Sequence, residues 1–218
     1  MDLRQWDSPV DNQGKLGSCE ANAIVNAFEL MTKHLYPEKF VELSRLFLYY
    51  NSRSLVNAVD KDVGAYLRDG MAAGSKYGIC TEKLWTYDIG KFTVKPTVDA
   101  YIDGQSRKIV SYKLLKSISD IIDSLNDNKP VVIGIIVYPS FDSTDIDIPV
   151  VPMPSDEEIA TSGGGHAVAV VGYDMGREQL LIKNSYGTEW GDLGYGWLPF
   201  DYYKTQGVEA WVFDISIK

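Results

Sequence analysis

An α+β fold is predicted, with helices gathered in the first half of the chain and strands in the second. After Ser18 the apolar residues Ile24, Ala27, Phe28, Met31 and Leu35 recur every three or four positions, the period of an amphipathic helix. From residue 131 onward the pattern changes to short runs rich in Val, Ile and aromatics, parted by Gly or Asp turns. Helix runs followed by strand runs point to α+β rather than to alternating α/β. With 218 residues and 45% hydrophobic content, the chain can bury a core without disulfides, as one large domain or two lobes sharing a cleft.

The first helix runs from Ser18, a candidate N-cap, to Pro37, which cannot continue it. A second is expected over 44–53 with Ser44 as cap, and a third over 64–78, interrupted by glycines. A fourth, over 117–128, carries Ile118, Ile121, Ile122 and Leu125 on one face, with Ser117 or Ser119 as cap. Strands are expected at 131–138, 166–174, 179–185, 194–200 and 207–215. The boundary between a mainly helical part, residues 1–110, and a mainly β part, residues 111–218, is set near 105–112. A long Pro- and acid-rich segment fills 139–163; loops of this length are usually functional or disordered.

Composition narrows the function. A net charge of −9 and a pI near 4.7, with no dense Lys/Arg run, argue against nucleic acid and anionic membranes as partners. The longest apolar stretch, PVVIGIIVYP at 130–139, is half a membrane span, and the first residues, MDLRQWDSPVD, lack an apolar signal core. Two cysteines allow one bridge at most, so both are expected reduced, in an intracellular or otherwise reducing compartment unless a signal or prosegment has been removed. Two cysteines and two histidines form no zinc spacing, and no Lys-Ser/Thr follows the GGG run, so neither a metal site nor a phosphate loop is expected, and no cofactor.

Chemistry is best sought at Cys19. It stands at the first turn of a helix, where unpaired N–H groups and the dipole favour a thiolate, behind Gly14 and Gly17, with the amide of Gln13 six residues upstream. A free cysteine is more often packing than nucleophile, and both readings stay open for Cys19 taken alone. A nucleophilic thiol needs a base. His34 lies on the same helix, roughly 22 Å away at 1.5 Å per residue, which leaves His166, at the head of a strand behind SGGG. A base needs an orienter, and Asn184 ends a strand just before a Gly- and aromatic-rich turn, with Tyr186 and Trp190 placed to keep water from an imidazole–amide bond. A plain hairpin turn accounts for the asparagine segment equally well.

Taken together, the order Gln, Cys, His, Asn is more specific. NQGKLGSCEA resembles the active-site segment of the papain family of cysteine peptidases. GGGHAVAVVGYD is similar to the family's histidine strand, IKNSYGTEWGDLGYGWLPF to its asparagine segment, and KYGICTEKLWTYD to a segment crossing its helical lobe. The likeness runs from about Gln5 to Phe200. It implies a two-lobe fold, one lobe helical and the other a β-barrel-like antiparallel sheet, with the cleft between them. It implies Cys19 as nucleophile, His166 as its imidazolium partner and later acid, Asn184 as orienter, and Gln13 with the Cys19 N–H as oxyanion hole. The substrate would be a peptide or protein cleaved through an acyl-thioenzyme, and a protein inhibitor is a further partner. An exopeptidase or ligase on the same scaffold, and an impaired homologue that only binds peptides, are the alternatives. The resemblance also implies a second subsite lined by Gly134, Gly165 and Ala167, all small and hence open and apolar, and a backbone strip at Gly64 that pairs with extended substrate.

The sequence departs from that pattern. Leu16 replaces the first cysteine of the usual CGSCW, so no disulfide can form there, as in a disulfide-poor microbial and viral branch. Tyr186 stands in the place of a tryptophan. Glu20 replaces the aromatic after the nucleophile, and its charge is expected to oppose thiolate formation. Only eighteen residues precede Cys19, so the family's inhibitory prosegment was trimmed, never existed, or is replaced by control elsewhere. The 139–163 segment, with six carboxylates, is expected either to be a solvated surface loop or to border the cleft, gating it or favouring basic substrates.

Overall fold

The computed structural model of the chain describes residues 1–145, 147, 149–161 and 163–218; Ile146, Ile148 and Ser162, in the acid-rich segment and at the head of the SGGG run, lie outside the described residues. The periodic run after Ser18 forms α1 (Cys19–Leu35), and Pro37 opens a separate 3-10 turn beyond it. This helix is buried on nearly every side from Glu20 to Thr32, as expected of a helix at the centre of a protein. Ser18 does not cap it with its side chain; its hydroxyl meets the Tyr87 hydroxyl instead. The caps expected for the next helix and for α5 do form: Ser44 accepts from the Phe47 N–H at the head of α2 (Arg45–Ser54), and Ser117 from Asp120 at the head of α5 (Ile118–Asn126).

Helix α3 (Leu67–Lys76) runs unbroken through Gly70 and Gly74. These glycines do not interrupt it; they permit packing. A Cβ at Gly70 would collide with Glu20 and Ile24 of α1, and one at Gly74 would meet Ile109 Cδ1 at 2.7 Å. Two elements between α3 and α5 went unread in the sequence, the short α4 (Val98–Gly104) and β1 (Arg107–Leu115). Strand β1 is an edge strand with most of its side chains exposed, so it lacks the alternation that marks a half-buried strand.

The second half builds the sheet: β2 (Val131–Val137), β3 (Gly164–Asp174), β4 (Gln179–Lys183), β5 (Tyr195–Pro199) and β6 (Gly207–Ile217). Short helices α6 (Pro139–Asp142) and α7 (Asp156–Ile159) punctuate the acid-rich segment, and α8 (Phe200–Gln206) separates β5 from β6. The strand order is β1-β6-β2-β3-β4-β5, antiparallel throughout. The sheet stays open, with β1 and β5 as its edges, so the barrel-like expectation is loose. Its two faces feed two cores. Val132, Ala167 and Phe213 pack with α1, α2 and α3, whereas Val131, Ile133, Val168 and Val170 pack with Ile121 and Leu125 of α5 and with Tyr202 of α8. The first residue of α1 and the first residues of β3 meet at the seam where the helices abut the sheet.

Candidate active site

Loop 11–18 delivers Cys19, and it is bolted to the segment after β4. Gln13 N–H donates to Ser185 O at 2.8 Å, Gly187 N–H to Asp11 O at 2.9 Å, and Asn12 and Tyr186 form an isolated bridge. Gly14, at φ +62°, makes the turn a side chain would strain, its N–H held by Asn12 Oδ1. Tyr87 braces the loop from the other side, donating its hydroxyl to Gln13 O at 3.0 Å while it contacts Ser18 Oγ. Arg45 pairs with Asp11 at 2.9 Å and stacks over the Tyr87 ring at 4.3 Å.

The thiol of Cys19 is half-buried and lies against the backbone N–H of Ala167, the residue after His166. His166 is buried, and its Nε2 stands 2.8 Å from Asn184 Oδ1. The same oxygen accepts the Ser185 backbone N–H at 2.8 Å. A backbone N–H can only donate, so the atom facing the imidazole is the amide oxygen, and Nε2 must carry its proton. That favours this tautomer and leaves Nδ1 as the basic nitrogen. His34 is elsewhere, its ring 4.0 Å from that of Trp6.

An aromatic shell covers this pair. Tyr186 lies 4.8 Å from the His166 ring centroid to centroid, and Trp190 is buried with its indole N–H on Phe141 O at 2.9 Å. Phe141, unmarked in the sequence, completes the shell edge-on to His166 at 5.6 Å and stacked on Trp190 at 5.1 Å. Dry surroundings disfavour either charge alone. Burial pushes the Cys19 thiol up to about 11, and it pushes the imidazolium of His166 down to about 4, the bond to Asn184 opposing it. Opposite charges formed together on neighbouring groups would offset these penalties.

Gln13 is held as an oriented donor. Its Oε1 accepts from Ser185 Oγ at 2.6 Å and its Nε2 donates to Leu16 O at 2.9 Å, which leaves the second amide hydrogen for a ligand. An open groove of about 540 Å³ runs beside it, lined by Gln13, Gly14, Lys15, Leu16, Gly17, Asp142, Tyr186, Glu189 and Trp190. The acid-rich segment thus reaches the groove at Asp142. It is also fastened behind: Trp197 exchanges backbone bonds with Pro149 and Val151, Gly191 N–H donates to Thr144 O, and Ser155 with Glu158 forms a capping box.

In the sheet, Gly134 pairs with both Ala167 and Glu209, so all three project onto one face. A Cβ at Gly134 would stand 3.2 Å from Glu209 Cγ and 3.8 Å from Leu67 Cδ1, while one at Gly165 would meet nothing within 4 Å. Glu209 Oε2 accepts the Trp211 indole N–H at 2.6 Å. The patch expected to be open and apolar therefore carries a carboxylate. Sequence reading missed it because only the placing of β6 beside β2 brings Glu209 there.

Glu20 also differs from expectation. Its carboxyl is completely buried, Oε1 accepting from Ser52 Oγ at 2.8 Å and Oε2 without a partner among the described residues. Burial pushes it up to about 8, so at neutral pH the group is mostly protonated and does not set a full charge against the thiolate. No group of three or more His, Cys, Asp or Glu among the described residues is placed to hold a metal ion, and both cysteines are free thiols.

Comparison with known proteins bears on this arrangement. The sequence profile of the papain family of cysteine proteases matches residues 1–213. An uncharacterized peptidase C1-like protein of Acanthamoeba polyphaga mimivirus is 38% identical over 218 residues, covering 95% of this chain and 69% of the viral protein. Digestive cysteine proteinase 1 of Homarus americanus is 25% identical over 212 residues, 86% of this chain but only 57% of that protein's length. Among solved structures, xylellain, a cysteine protease from Xylella fastidiosa, superposes with a TM-score of 0.86 at 33% identity, covering 100% of this chain and 85% of xylellain. A Carica candamarcensis cysteine protease in complex with E-64 superposes at 0.74 with 23% identity over 98% of this chain and 96% of that one, a likeness of fold.

Proposed function

Since the chain belongs to the papain family of cysteine proteases, we propose that it is a cysteine endopeptidase working through a Cys19–His166–Asn184 triad and a Gln13 oxyanion hole. One observation carries the reading: the Asn184 amide oxygen, held by the Ser185 N–H, faces His166 Nε2 and so favours the Nε2-protonated tautomer, while the Cys19 thiol lies against the N–H of the next residue, Ala167. In the proposed reaction, His166 Nδ1 holds the Cys19 proton as imidazolium, and the Sγ thiolate attacks the peptide carbonyl carbon. The oxyanion is held by the Cys19 N–H and the second Gln13 Nε2 hydrogen, about 3 kcal/mol for each donor in comparable acyl-transfer sites. The imidazolium then protonates the leaving amine, and the C–N bond breaks to leave an acyl-thioenzyme. Water, deprotonated by the now neutral His166, attacks the thioester and releases the acid and the thiol.

The groove that continues past Gln13 toward Glu189 is open, which favours cleavage within a chain over removal of a terminal residue. On the acyl side, Gly134, Ala167 and Leu67 offer apolar contact and Glu209 a carboxylate, so that subsite is expected to take basic side chains as well as apolar ones. The test is stoichiometric labelling of Cys19 by an epoxide thiol inhibitor, together with hydrolysis of N-blocked peptides. Labelling and N-blocked hydrolysis that both vanish in Cys19→Ala fit the proposal; labelling without hydrolysis would mean an impaired homologue, and cleavage of free-amine peptides alone an exopeptidase.

A further inference from the structure

The peptide unit joining Leu16 to Gly17 is gripped on both edges. Its carbonyl accepts from Gln13 Nε2 at 2.9 Å, and its N–H points at Asp62, with both carboxylate oxygens at 3.1 Å. Asp62 is also bound to the Tyr49 hydroxyl, and that hydroxyl in turn accepts the Gly64 N–H at 3.2 Å. Gly64 lies close enough to Gly17 that a Cβ on Gly17 would sit 3.4 Å from Gly64 N and 3.0 Å from Asp62 Oδ1. The surface loop carrying Asp62 has no regular structure of its own. Arg53 organises it from beneath, donating to Val59 O at 3.0 Å and Lys61 O at 2.9 Å, with its guanidinium 4.0 Å above the Tyr49 ring.

We propose that Asp62 is a positioning residue that ties the substrate strip at Gly64 to the Leu16–Gly17 peptide and, through that peptide, to the oxyanion donor Gln13. The inference rests on the peptidase reading. A charged acceptor on the N–H strengthens the bond its carbonyl makes to Gln13, because linked hydrogen bonds polarise one another. The same carboxylate, through Tyr49, sets the offset between a substrate backbone lying along Gly64 and the thiol two residues beyond Gly17. Leu16 leaves this stretch without a covalent tie, so its register depends on these bonds. The Asp62 carboxylate makes no ion pair among the described residues; its partners are a neutral N–H and a phenol, as suits a group that sets geometry.

The test compares Asp62→Asn and Tyr49→Phe with the wild type in two assays: hydrolysis of an N-blocked tetrapeptide amide, and alkylation of Cys19 by iodoacetamide, which needs neither the strip nor the oxyanion donor. In Asp62→Asn, kcat/KM is expected to fall about ten-fold, the size of effect that misplacing a bound substrate produces, while alkylation stays within about two-fold. Tyr49→Phe, which cuts the link to Gly64 but leaves Asp62 on Gly17, is expected to raise KM with kcat little changed. Equal losses in alkylation and hydrolysis would mean general loosening and overturn the proposal, as would unchanged hydrolysis in both variants. Should Asp62→Asn not fold, the KM of Tyr49→Phe decides alone. A wild type that alkylates at Cys19 but cleaves no peptide sinks the peptidase reading, a pattern distinct from active variants that fail to discriminate.

Discussion

Glu20 shows how a single side chain changes meaning between sequence and structure. Next to a nucleophile, a carboxylate reads as a charge opposed to the thiolate. In the fold it is completely buried against the bare face of Gly70, with one oxygen on Ser52. Such a group ionises near its ordinary value of 4.5 in the unfolded chain but only at about 8 in the folded one. Between those values the folded chain keeps a proton that the unfolded chain releases, so stability falls as pH rises through that window. Glu20→Gln removes this contribution. The variant's melting temperature is expected to drop less than that of the wild type between pH 5 and pH 9, and parallel curves would refute the buried acid. Glu209 makes a second residue-scale prediction. Glu209→Ala is expected to lower kcat/KM for a basic side chain at the acyl-side subsite about ten-fold relative to an apolar one, read from paired substrates with Arg and Leu there. An unchanged ratio would place the carboxylate outside the subsite.

At the scale of elements, the segment after β4 does more than end a strand. Lys183, just before Asn184, is buried with its ammonium on Asp7 Oδ1 at 2.9 Å and on Ser8 O at 2.8 Å. The pair ties the first residues of the chain to the end of β4, next to Asn184. Asp7→Ala leaves that ammonium unpaired, an outcome that typically costs 3–5 kcal/mol. Urea unfolding is expected to show a loss of roughly that size, and a change under 1 kcal/mol would mean the ion adds little. The elements legible in the sequence were those with strong periods or clear turn boundaries: α1, α2, α5 and the strands β2, β3, β4, β5 and β6. Strand β1 was not, because its exposed side chains erase the period-two signal, and α8 was not, because β5 passes straight into it at Phe200. The glycines of α3 read as breaks since their cause, contact with Glu20, Ile24 and Ile109, lies in other elements.

At the scale of the molecule, the open six-stranded sheet with helices on both faces brings distant residues to one seam. Cys19 and His166 stand out in the sequence because their chemistry is scarce: two cysteines, two histidines, and one histidine on the helix that Cys19 begins; Gln13 and Asn184 stand out through the likeness of their segments to the papain family. Phe141 and Glu209 were not, since an aromatic in an acid-rich loop and an acid on a late strand gain their roles only from strand order. The claim everything else depends on is that Cys19 and His166 ionise as one pair. Its most direct test is the rate of Cys19 alkylation by iodoacetamide against pH, in the wild type and in His166→Ala. A thiolate held by an imidazolium forms well below the ordinary thiol range, so the wild-type rate is expected to be already high and flat across neutrality. In His166→Ala the plateau is expected to vanish, leaving a rate that climbs only at alkaline pH, as burial pushes the lone thiol up toward about 11. Wild-type and variant profiles that coincide, both rising only above pH 8, would contradict the pair.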